Sequence, residues 1–168
     1  MQSSAKLRSA CLAGCDGWYI DSMRNFLRIA LVFSALPALV LHAEKKVLNP
    51  PELGAASPNF SAAILSDGTL YLAGQIGTDL KNNQVPDSFE DEVKACLDRI
   101  SIILKAGGMS FADAVSVQVY LTDIELFGRM NAVYTTYFKE PRPARTTVGV
   151  TKLANANARI EITVTARK

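Results

Sequence analysis

Between Val115 and Thr122 the chain alternates without a break. Val115, Val117, Val119 and Leu121 are apolar, and Ser116, Gln118, Tyr120 and Thr122 between them are polar. Successive side chains of a strand point to opposite faces, so this segment reads as a strand with one face in a core and one outside it. The flanking segments narrow the choice. Phe89, Val93, Leu97, Ile100 and Leu104 recur at helical spacing, with Asp87 and Glu90 as a capping pair and Gly107-Gly108 at the end. Ile124, Phe127, Met130, Val133, Tyr134 and Phe138 repeat the pattern, with Thr122 and Glu125 as a second capping box.

The other segments read as strands and turns. Residues 59–65 and 69–76 flank Ser66-Asp67-Gly68 and predict a hairpin. Pro143 marks a turn giving way to a β-branched strand through Thr146-Thr147-Val148. The last strand, 159–166, sets Ile160, Ile162, Val164 and Ala166 against Arg159, Glu161, Thr163 and Thr165. Residues 44–57 form a polar, proline-marked lead-in. The order ββ-α-β-α-β-β predicts a single α+β domain over 58–168, a sheet with two helices on its apolar face. No helix remains for the other face. The pattern assigns it Ser116, Gln118, Tyr120, Arg145, Thr147, Glu161 and Thr163. Such a face meets water or packs against copies of itself.

Residues 1–43 read as a leader. Arg24 and Arg28 precede an apolar run over 29–41, and Ala43 is a small residue at a plausible cleavage point. Met23 is an alternative start. The expectation is a periplasmic or secreted protein that keeps no membrane anchor after cleavage. Of the 18 basic and 16 acidic residues, four basic (Lys6, Arg8, Arg24, Arg28) and two acidic (Asp16, Asp21) precede residue 44. The remainder carries 14 of each and is neutral, with no footprint for phosphate backbones. Cys96 is then the single cysteine, in an apolar helical stripe that suits inert packing.

Arg145 opens a strand beside Thr147 and Gly149 on one face. Its planar, permanently charged fork suits a carboxylate, although an exposed arginine is often only a surface ion pair. Glu161 could be its salt-bridge partner or a group that handles a proton or a water.

Five segments in order carry a resemblance: Leu70 to Ile76 (LYLAGQI), Val119 to Asp123 (VYLTD), Phe127 to Asn131 with Val133-Tyr134, Pro143 to Thr146 (PART), and Ile160-Glu161-Ile162. Together they resemble the RidA/YjgF family of reactive-intermediate deaminases, also filed as L-PSP endoribonucleases. The resemblance spans about Ser57 to Lys168. It implies a chorismate mutase-like fold, a homotrimer whose sheets enclose a barrel, and sites in clefts between subunits. It further implies cofactor-free, metal-free hydrolysis of enamine and imine carboxylates, such as 2-aminoacrylate and 2-iminopropanoate, to 2-keto acids and ammonia. Arg145 then matches the carboxylate anchor and Glu161 the water-orienting acid. Gly74 and Asn131 match pocket positions. Phe60 stands where an aromatic hydroxyl is common, with Asn59 the alternative if the turn carries a gap. Ala73 stands for a serine and Thr147 for a pocket cysteine. The polar shell is therefore thinner than in the best-known members. A small-carboxylate-binding trimer without turnover is the alternative. A ribonuclease is disfavoured by the neutral charge and by the absence of histidine after His42.

Overall fold

The computed structural model describes residues 44–168. The leader assigned to 1–43 lies outside the described residues. The strands are β1 (Lys45–Leu48), β2 (Ala63–Ser66), β3 (Thr69–Leu72), β4 (Gln75–Ile76), β5 (Ala114–Leu121), β6 (Ala144–Gly149) and β7 (Ile160–Arg167). Two helices, α1 (Phe89–Ala106) and α2 (Phe127–Tyr137), interrupt them. They build one mixed sheet in the order β1-β2-β3-β7-β5-β6, with β4 also paired to β7. Among the described strands, β5 and β6 alone run parallel. The predicted α+β architecture is the observed one, and its apolar face, with α1 and α2, forms one core.

The β2–β3 hairpin turns on Asp67 (φ 49°) and Gly68 (φ 69°). Two consecutive residues at positive φ match the twist of the strands they join. The lead-in holds an unpredicted strand, β1, paired antiparallel with β2. Three of its four residues are exposed, so no alternation marks it in the sequence. The strand predicted over 59–65 starts only at Ala63, where pairing with Leu72 begins.

Both helix caps differ from expectation by one residue. Ser88, not Asp87, caps α1 and accepts from the Asp91 N–H. Glu90 instead forms a two-bond pair with Arg129 of α2, at 2.7 and 2.8 Å. Arg129 holds the Glu90 carboxyl at about 2, well below its ordinary value. Asp123, not Thr122, caps the short 3-10 turn that leads into α2. The Thr122 N–H is committed to the Arg159 carbonyl. Cys96 is buried and donates to the Gln75 carbonyl. Burial pushes its thiol far above the ordinary range, which suits packing and not reactivity.

Two bulges re-aim the sheet. Ala114 and Ser116 pair with the consecutive residues Ala166 and Thr165, so Val115 is the extra residue. It is 49% exposed and leaves the apolar set to which the alternation assigned it. The predicted strand 69–76 is likewise interrupted. Tyr71 pairs with Thr165, but Gln75 pairs with Ile162, leaving one residue too many around Ala73-Gly74. The Gln75 side chain donates to the carbonyls of Ala73 and Gly74 and fixes the kink.

A buried ion pair ties α1 to the start of β7. The Glu92 carboxylate is fully buried and accepts from the backbone N–H groups of Arg159 and Ile160 and from Arg159 Nε. The rest of the Arg159 fork donates to the Pro86 and Asp87 carbonyls. Every charge is thus matched, which is how a buried pair is tolerated. Glu92→Ala strands the guanidinium and is expected to cost about 3 kcal/mol, the low end for a broken buried pair, because Arg159 keeps a third of its side-chain surface in water. A lower urea midpoint at unchanged slope checks this.

Candidate active site

Registered neighbours in a sheet share a face, so the pairing places each candidate side chain. Arg145 is level with Val117 and Thr147 with Val119. Both valines are buried under the helices. Arg145 and Thr147 therefore lie on the helix side of β6, not on the open face where the polarity pattern put them. The open side of β6 carries Ala144, Thr146 and Val148, level with Ser116, Gln118 and Tyr120. Glu161 is level with Tyr120 and does lie on the open face. The two expected partners thus sit on opposite faces of one sheet. With β5 between them they are also roughly 10 Å apart across the strands, and Arg145 is offset by about 10 Å along them. One chain cannot close both around one small acid.

Each gathers its own set of neighbours. In the first, the Arg145 guanidinium lies 4.6 Å from the Tyr134 ring centroid and 5.5 Å from that of Phe127. Aromatic faces hold a cation without consuming its hydrogen-bond donors. No acid lies within ion-pairing distance of it among the described residues. Asn131 lies four residues after Phe127 and three before Tyr134, on the same side of α2. Thr147 Oγ1 and the Tyr134 hydroxyl are buried and find no hydrogen-bond partner among the described residues. Burial raises the Tyr134 phenol, and the nearby Arg145 charge offsets part of that rise. Buried hydroxyls without partners are uncommon and costly. The cation and these two hydroxyls lie together with their donors uncommitted.

The second set is built on the Ala73-Gly74 bulge. The Glu161 carboxylate stands directly over Gly74. A Cβ there would overlap Glu161 Oε1 and come within 2.8 Å of its Cδ. The requirement for glycine is thus one of space, since Gly74 is not at positive φ. Gly74 also lines a cavity of about 270 Å³ together with Phe60. Phe60 is 60% exposed and offers only an apolar ring. Gly74, Phe60 and Glu161 thus gather at one end of β4, while Arg145, Thr147 and Asn131 gather at β6. Tyr134 and Phe127 were read only as members of a helical stripe. Their position beneath a strand-edge arginine is a tertiary fact that periodicity does not carry.

The Endoribonuclease L-PSP family model matches residues 52–168. The 2-iminobutanoate/2-iminopropanoate deaminase of Rattus norvegicus is 40% identical over 119 residues, covering 70% of this chain and 86% of that protein. A RutC family protein of Sulfurisphaera tokodaii is 40% identical over 110 residues, 65% of this chain and 87% of its own. The crystal structure of RidA from the Antarctic bacterium Psychrobacter superposes with a TM-score of 0.69 at 28% identity, covering 73% of this chain and 99% of that one. The fold, the ordered motifs and these matches agree: the chain belongs to the Endoribonuclease L-PSP family, known also as RidA/YjgF.

Proposed function

We propose that the chain hydrolyses small imine and enamine carboxylates to 2-keto acids and ammonia, at sites completed between copies of itself. The observation that carries this reading is the split. An unpaired cation with orphaned hydroxyls lies on one face, and a carboxylate seated on a glycine lies on the other. The open face supports association. Val47, Tyr71 and Val148 are 55%, 53% and 40% exposed on it, and apolar surface of that kind favours a partner. A ring of copies, taken here as a homotrimer, would bring Arg145 of one to Glu161 of the next. The relatives named 2-iminobutanoate/2-iminopropanoate deaminase supply the substrate class.

The chemistry asks little of the protein. The protonated imine carbon is already electrophilic. Arg145 fixes the substrate carboxylate by two parallel hydrogen bonds. Glu161 accepts a proton from a water as its oxygen bonds to the imine carbon. The resulting amino alcohol takes that proton back from Glu161 on its nitrogen; the hydroxyl then gives its own proton to the carboxylate as the C–N bond breaks, ammonia leaves and the C=O of the keto acid forms. Holding the reactants in line is the main contribution. The neutral charge beyond residue 43 and the lack of histidine there weigh against ribonuclease action. If the leader acts as the sequence suggests, this chemistry takes place outside the cytoplasm.

Subunit mixing tests the reading. Arg145→Ala and Glu161→Gln are each expected to be inactive when pure. Co-expressed, they are expected to regain keto-acid release from freshly generated imino acids, because some clefts pair an intact Arg145 with an intact Glu161. Two inactive variants that stay inactive in mixed oligomers would count against a shared site.

A further inference from the structure

The cavity beside Gly74 contains a charge that the reaction above does not use. Arg99 of α1 lines it. The Nε of Arg99 is buried and has no hydrogen-bond partner, and no acid pairs with the guanidinium among the described residues. The rest of the wall supplies no countercharge. Its polar side chains include Ser57, Thr78, Asn83 and Asn155, all neutral, and no carboxylate is among them. Desolvation draws the Arg99 pKa down from its ordinary value, yet a guanidinium remains charged under working conditions. Arg99 is partly exposed rather than buried, and a guanidinium that meets no acid keeps its donors free for an arriving anion.

The same cavity runs to Gly74, over which Glu161 stands. At about 270 Å³ it approaches the roughly 300 Å³ at which pockets begin to take small organic ligands. The methyl group of a three-carbon imino acid would leave most of it empty. We infer that Arg99 binds a second acidic group on the substrate side chain, so that the preferred substrates are dicarboxylic imino acids. Arg145 would hold the carboxylate next to the imine carbon, and Arg99 the distal one. The inference rests on the proposed carboxylate-binding role of the cleft and adds the identity of the side chain.

Equilibrium binding of the product keto acids reads this directly. By calorimetry the wild-type protein is expected to bind 2-oxoglutarate or oxaloacetate about tenfold more tightly than 2-oxobutanoate, the scale of one additional charge-assisted contact. Arg99→Gln is expected to bind them equally, and Arg99→Lys to keep part of the preference. Thermal melting verifies that both variants fold. Arg145→Ala is expected to lose both ligand classes. Equal affinities in the wild type, or a preference that survives Arg99→Gln, overturn the inference and leave the monocarboxylate reading standing. An Arg99-dependent preference without turnover of the matching imino acids, generated in place from aspartate or glutamate, upholds the second anion site and overturns the deaminase reading instead. If no keto acid binds the wild type at all, both fall.

Discussion

Replacing Arg145 by alanine is expected to lower kcat/KM for imino-acid hydrolysis by roughly 10³-fold, about 4 kcal/mol of transition-state stabilisation. The magnitude follows from losing a two-bond, charge-assisted grip on a carboxylate in a partly buried site. The fold should hardly register the change, because Arg145 sits at an edge strand with its guanidinium on aromatic faces and in no ion pair among the described residues. Arg145→Lys keeps the charge but not the planar fork, and should recover only a small part of the rate. Steady-state kinetics beside a thermal melt separates the cases. A large loss of melting temperature with intact kinetics in the surviving fraction would make Arg145 a structural residue.

Gly74→Ala is expected to reduce kcat about 100-fold, the scale of a catalytic group displaced by about 1 Å. The added methyl would occupy the space now held by the Glu161 carboxylate. That carboxylate ends a flexible side chain, so it moves before the sheet does, and the loss of stability should stay near about 1 kcal/mol. The discriminating measurement is a double-mutant cycle. If Gly74 acts only by seating Glu161, adding Gly74→Ala to Glu161→Ala costs almost nothing more. Additive losses would mean that Gly74 contributes through its own backbone.

The alternation of Val117, Val119, Leu121 and of Ile160, Ile162, Val164 was legible because those residues are buried in one sheet face, and burial is what the pattern encodes. The face of Arg145 was not legible for the same reason. β6 is an edge strand with no fully buried residue, so neither of its faces carries the apolar signature that marks a core. Thr146 and Val148 look as inward as Thr147. Glu161 was assigned correctly because its neighbours Ile160 and Ile162 leave it no choice. The seat beneath it was not readable as such, since Gly74 could equally have marked a turn. Val115 was misassigned because a bulge adds a residue without changing composition. Arg99 carries no signal in the sequence, since an arginine in an amphipathic helix usually meets water. That its Nε is out of reach of solvent is a tertiary fact.

The position of β7 has a consequence for how the domain folds. The last of the described strands, it lies between β3 and β5 and also holds β4. Until Ile160 to Arg167 pair, β3, β4 and β5 have no common partner, and the core lacks the strand at its centre. The sheet therefore closes through contacts far apart in sequence, a slow class of folding event.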